Sequence, residues 1–142
     1  MPWYRYVVIK SLKCIKKQEA TGDDVYIKLN MDYGEEIPDG DGYTVRYPYE
    51  GVIRKNMKEG ETWTIGYPVK AEYWVVVTAM DSDAKEADRI DDVLATWYIN
   101  VYEMDDIWKG DGIKTLTGGD NCEYELTYEY PDWQLKSNPW AT

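Results

Sequence analysis

Apolar and polar residues alternate along most of this chain with the period of two that marks half-buried strands, and no segment keeps a 3.6-residue apolar period over helix length. The pattern predicts a first strand over residues 4–14, with bulk from Val7, Val8, Ile9 and Leu12, and a second over 25–29, with Val25, Ile27 and Leu29 on one face. A turn-rich stretch over 31–42 leads to short strands at 43–47 and 52–55, beside prolines that suit sheet edges. Lys58, Glu59, Gly60 and Glu61 read as a turn, and 62–67 as a strand turning Trp63 and Ile65 inward. Residues 73–79 are apolar on both faces, as a central strand is. Further on, Val93, Ala95, Trp97, Ile99 and Val101 alternate with Leu94, Thr96, Tyr98 and Asn100. A short strand at 113–116 precedes the cleanest alternation, where Tyr124, Leu126, Tyr128 and Tyr130 oppose Glu123, Glu125, Thr127 and Glu129. Residues 85–89 are expected to form a helical turn inside their loop.

About eight short strands separated by turns predict an all-β fold, an eight-stranded antiparallel β-sandwich. The 142 residues show no repeat, low-complexity run or linker, so one domain is expected over residues 1–130, followed by a Trp-containing tail over 131–142. No run of 18 apolar residues is present, so no membrane-spanning helix is expected. The first residues lack the apolar stretch of a signal peptide, which suggests either a cytosolic chain or numbering from a mature form.

Charge changes the picture of partners. The net charge of −11, from 27 acids and 16 bases, argues against nucleic acid, whose phosphates need clustered Lys and Arg. Residues 1–17 hold Arg5, Lys10, Lys13, Lys16 and Lys17 and no acid. That basic strand either offsets the acidic body or meets the acidic face of another molecule. The absence of His removes the usual base and ligand of most Ser, Cys and zinc sites. Two carboxylates across a cleft are still enough for glycoside hydrolysis, but no enzyme is expected.

If the strands simply alternate in direction, the connections at 15–22 and 81–92 emerge at one pole. The first carries Gln18 and Glu19 and leads into Asp23 and Asp24; the second carries Asp81, Asp83, Asp88, Asp91 and Asp92. Crowded carboxylates repel one another unless a cation lies between them, and calcium takes six to eight oxygen ligands. Ordinary acidic loops are the alternative in so acidic a chain. An EF-hand is excluded by spacing: Asp81, Asp83 and Asp92 fall at its first, third and twelfth positions, but Lys85 and Glu86 occupy the fifth and sixth, where an acid or amide and then Gly belong.

The order of these segments resembles a C2 domain, the calcium- and phospholipid-binding β-sandwich. Asp24-Val25-Tyr26-Ile27-Lys28-Leu29 holds the place of that family's D-P-Y-V-K-V strand. The apolar run 75–80 then leads to Asp81-Ser82-Asp83, with Asp91-Asp92-Val93-Leu94 in the place of a further acid before L-G. The resemblance covers residues 4–130 and implies that Asp24, Asp81, Asp83 and Asp92 (or Asp91) ligate Ca2+, with Glu19 as a fifth. Val25 and Ala95 depart from the family's proline and glycine, and the loop tips lack the large apolar residues that enter membranes.

Cys14 and Cys122 end the first strand and begin the last, so alternation puts both at one pole, either bridged or as separate thiols. Trp63, Trp74 and Trp97 are expected in the core, whereas Trp3, Trp133 and Trp140 lie in terminal segments able to pack on a neighbour. The leading expectation is a non-enzymatic, calcium-dependent interaction or self-assembly module, a homo-oligomer or filament built through the basic first strand and the Trp-bearing tails. A calcium-dependent phospholipid-binding module and a carbohydrate-binding sandwich with exposed Trp and Tyr are the alternatives.

Overall fold

Among the described residues the alternation is realised in nine strands: β1 (Arg5–Lys16), β2 (Asp23–Met31), β3 (Tyr43–Tyr47), β4 (Arg54–Met57), β5 (Thr62–Ala71), β6 (Trp74–Asp81), β7 (Asp92–Asn100), β8 (Ile113–Gly118) and β9 (Glu123–Glu129). They are seen in a computed structural model that describes residues 5–18, 22–32, 43–48, 53–71, 73–82, 92–101 and 113–131. The helical turn expected at 85–89, and Trp3, Trp133 and Trp140, lie outside the described residues.

One sheet has the order β5-β1-β9-β8, and the other runs β3-β2-β6-β7 with β4 also paired to β2. Every pairing is antiparallel. β3 lies along Ile27–Met31 and β4 along Asp23–Val25, so two short strands share one edge of β2. That sharing reconciles nine strands with the eight expected positions of the sandwich.

The inner faces meet in one apolar cluster that includes Leu12, Leu126 and Tyr124 from one sheet and Ile27, Val77 and Ile99 from the other. In β1 the buried residues are Val7, Ile9, Leu12 and Cys14. Their spacing breaks from two to three at Lys10, where the register slips against both β5 and β9. A β-bulge there turns the strand by one position and keeps its apolar side inward. β5 continues past the expected end at Tyr67 through Pro68 to Ala71. As an edge strand it needs no donor on its outer side, so the missing N–H of proline is tolerated.

Two surface features differ from expectation. Trp97 is buried, but Trp74 is only half-buried and lies near-parallel to the exposed Tyr98 ring, 6.4 Å away. The inward residues of β6 are Val75, Val77 and Ala79, so the alternation turns Trp74 to the outer face. Trp63 is half-buried against the core and stacks on Tyr47 at 5.8 Å. The basic strand β1, in turn, lies beside the acidic β9: Lys10 Nζ meets Glu129 Oε2 at 2.9 Å, and Lys13 and Lys16 stand opposite Glu125 and Glu123.

Leu126 is fully buried and stands between Leu12 and Leu116. Leu126→Ala is expected to cost about 2–5 kcal/mol in urea unfolding. Thr115→Ala, on the exposed side of β8, should stay within about 0.5 kcal/mol.

Candidate functional site

The antiparallel order brings the ends of β1, β4, β6 and β8 and the starts of β2, β5, β7 and β9 to one pole. Asp23 opens β2 in the inward phase shared by Val25 and Ile27, and its side chain is 0% exposed. A buried carboxylate needs donors. Its Oδ2 accepts a bond from the backbone N–H of Gln18 at 2.9 Å and another from the hydroxyl of Tyr124. Tyr124 belongs to the opposite sheet, so this polar bond crosses the end of an apolar core. Burial, reinforced by the Asp23 carboxylate and by Cys14, pushes the Tyr124 phenol far above its ordinary value of 10.0.

Asp81 ends β6, also in the inward phase, and is 2% exposed. Its Oδ1 accepts the Asp24 N–H at 2.9 Å, while Ser82 N–H donates to the Asp24 carbonyl at 2.7 Å. The start of β2 is thus clasped by the end of β6. Asp24 Oδ1 in turn accepts the Asn56 N–H at 2.8 Å, which brings the end of β4 to the same place. Asn56 holds a left-handed backbone, φ 59°, a conformation that Asn tolerates better than most residues. Its side chain packs so closely on Gly22 (φ +97°) that a Cβ there would lie 2.5 Å from Asn56 Oδ1. Asp92 begins β7, is exposed, and stands directly opposite Asp81.

A third set of bonds joins the remaining connections. Gln18 Nε2 donates to the Asp120 carbonyl at 2.7 Å and to the Val93 carbonyl at 3.4 Å. Asp120 N–H donates to the Leu94 carbonyl at 2.8 Å, and the Cys122 thiol reaches the same carbonyl at 3.1 Å. The turn carrying Asp120 is tight: a Cβ on Gly119 would meet the Cys122 carbonyl at 2.0 Å. Cys14 and Cys122 are both free thiols, so the bridged alternative is not the one adopted. Burial raises both thiols above the ordinary 9.0.

Of the expected ligands, the structure gathers Asp23, Asp24, Asp81 and Asp92 at the ends of β2, β6 and β7. Glu19, Asp83 and Asp91 lie outside the described residues. Among the described residues, no three His, Cys, Asp or Glu are close enough to hold a metal ion by themselves. Carboxylates are hard oxygen ligands and suit calcium rather than a thiophilic metal. Sequence reasoning missed Tyr124 and Asn56. Tyr124 reads as one more bulky inward residue of an alternating strand, and only its place at the strand start hints that the hydroxyl reaches the pole. Asn56 carries its signal in an Asn next to a predicted turn.

The raised thiols and phenol fix a pH dependence. Well below pH 9 the folded and unfolded chains both keep these protons, and stability does not depend on them. Above the ordinary thiol value of 9.0 the unfolded chain ionises first, so stability is lost as pH rises. Thermal unfolding in reductant should show a midpoint falling from pH 9 upward, with stability lost at no more than about 1.4 kcal/mol per pH unit for each group. A smaller fall is expected in Tyr124→Phe, and a midpoint flat to pH 11 is the contrary result.

No family model matches the sequence, and no curated protein matches it. Solved structures do match the fold. A structure described as that of a C2 domain aligns with TM-score 0.52 and 8% identity over 88% of this chain and 94% of that one. Human GIVD cytosolic phospholipase A2 aligns with TM-score 0.52 and 11% identity over 90% of this chain, and its complex with methyl gamma-linolenyl fluorophosphonate and terbium chloride aligns with TM-score 0.50 and 12% identity over 92%. The chain spans only 16% and 18% of those two phospholipase chains. With an all-β chain, two antiparallel sheets and a C2 domain matched over nearly its whole length, the fold is that of a C2-like β-sandwich.

Proposed function

We propose that this chain is a non-enzymatic, calcium-dependent interaction module whose cation site lies at the loop pole. The observation that carries the reading is the register of β2, β6 and β7, which sets Asp24 beside Asp81 and Asp81 opposite Asp92 at one end of the sheet. Like charges directly opposite on neighbouring strands are destabilising, and a bound cation relieves that. Asp24, Asp81 and Asp92, with Asp83, Asp91 and Glu19 from the adjoining connections, are the ligands of this reading. Asp23 has one oxygen committed inward to two donors and serves the site from beneath. Calcium would supply positive charge there, and the carboxylates would supply the oxygens that hold and orient it.

The partner in the first reading is a second copy of the chain, with assembly controlled by calcium. The lysines of β1 face the glutamates of β9 in their own sheet, which favours association through the loop pole and the terminal segments over association through that strand. A second reading, docking on anionic phospholipid, is favoured by the phospholipase A2 structures, where the matched region is a small share of a lipid-acting enzyme. Calcium neutralises the acidic pole that repels such a surface.

Calorimetric titration of calcium into the chelated protein should show binding and a raised melting temperature. Asp81→Asn keeps an oxygen for the Asp24 N–H and should bind at least tenfold more weakly. Sedimentation with and without calcium, and with phosphatidylserine vesicles, separates the two partners. Unchanged melting and no binding heat at millimolar calcium overturn the site.

A further inference from the structure

We infer that Asp23 is a positioning residue, part of a tether with Tyr124 and Gln18 that sets the arrangement of the loop pole before any ligand arrives. Asp23 is anchored across the core by the Tyr124 hydroxyl of the other sheet. The same carboxylate oxygen holds the backbone N–H of Gln18, just beyond the end of β1. The Gln18 side chain then spans to the Val93 carbonyl at the start of β7 and to the Asp120 carbonyl in the turn before β9. Three connections distant in sequence are thereby joined through one buried carboxylate and one amide. Asp120 N–H, bonded to the Leu94 carbonyl, closes the circuit on the β7 side.

This arrangement fixes where β7 starts, and β7 carries Asp92 immediately before Val93. Asp23 is followed directly by Asp24, whose main chain is held by Asp81 and Ser82. The tether therefore holds residues next to two of the proposed ligands while contributing no ligand itself. A site whose residues are fixed beforehand loses less freedom on binding and binds more tightly. Only the calcium arm of the test rests on the function proposed above.

Two variants separate positioning from bulk stability. Gln18→Ala removes a half-buried amide at the surface and leaves the Asp23–Tyr124 bond in place. Tyr124→Phe keeps the ring in the core and removes the hydroxyl. In the calcium-free protein, amide exchange followed by NMR should quicken at least tenfold at Asp120 in Gln18→Ala and at Gln18 in Tyr124→Phe. The Val101 amide, bonded to the Tyr73 carbonyl at the far pole, should be unchanged in Gln18→Ala. Exchange at Gln18 and Asp120 that matches the parent in both variants overturns the tether. If the parent protein binds calcium, Gln18→Ala should weaken it at least fivefold with a melting temperature within about two degrees of the parent, and equal affinity overturns the positioning role. If the parent does not bind calcium, the proposed function fails and the exchange result alone decides the tether.

Discussion

The constraint on which the rest of this molecule depends is the burial of carboxylate groups at one end of an apolar core. An ionised side chain removed from water costs several kcal/mol unless donors replace the lost hydration. Asp23 and Asp81, almost wholly inaccessible, meet that demand in different ways. Asp23 draws a hydroxyl from the facing sheet, so the two sheets are held at the distance one tyrosine spans. Asp81 takes a main-chain donor from the neighbouring strand, so β6 and β2 stay in register to their last residues. The pole is thus ordered by polar bonds where the opposite inner faces are ordered by apolar contact. A loop end built this way can present outward carboxylates in a defined arrangement.

The sandwich was legible because most strands repeat a clean period of two, as at Val25, Ile27 and Leu29 or at Tyr124, Leu126 and Tyr128. What was not legible depended on partners. The alternation of β6 gives its two faces but not which faces the core, and Trp74 has more bulk than Val75 yet turns outward. Strand limits near Pro68 depended on whether the strand would be central or an edge, which only the assembled sheet decides. For the site, the clustering of acids along the chain was visible, but division of labour among them was not. Asp23 and Asp24 are adjacent and chemically alike, and the pleat sends them to opposite faces, one into the core and one toward the pole's rim. Gln18, Asn56 and Tyr124 matter through backbone N–H groups, a side-chain amide and a hydroxyl that find their partners only after folding.

Electrostatics follows the same division. The chain is strongly acidic, yet its most basic segment lies against one of its most acidic strands, where Lys10 pairs with Glu129. A half-exposed pair of that kind contributes little stability, on the order of 0–1 kcal/mol. Its larger effect is to remove positive charge from the surface seen at a distance. The field around the molecule is then dominated by acids, which draws cations toward its surface.

The bulge at Lys10 has a consequence for chain length. One residue of β1 there is surplus to its pairing with β9, and it sits where the side chain points to solvent; against β5 the surplus residue belongs to β5, between Tyr67 and Thr64. Removing that residue would restore a regular ladder with β9 through Cys14 and leave Val7, Ile9, Leu12 and Cys14 on the inner face, but it would widen the slip against β5. Removing one from within 7–9 or 12–14 would reverse the faces beyond it and send a core residue outward. Position 10 is therefore a point in the first strand where related chains can differ in length without altering the core, provided that β5 changes with it.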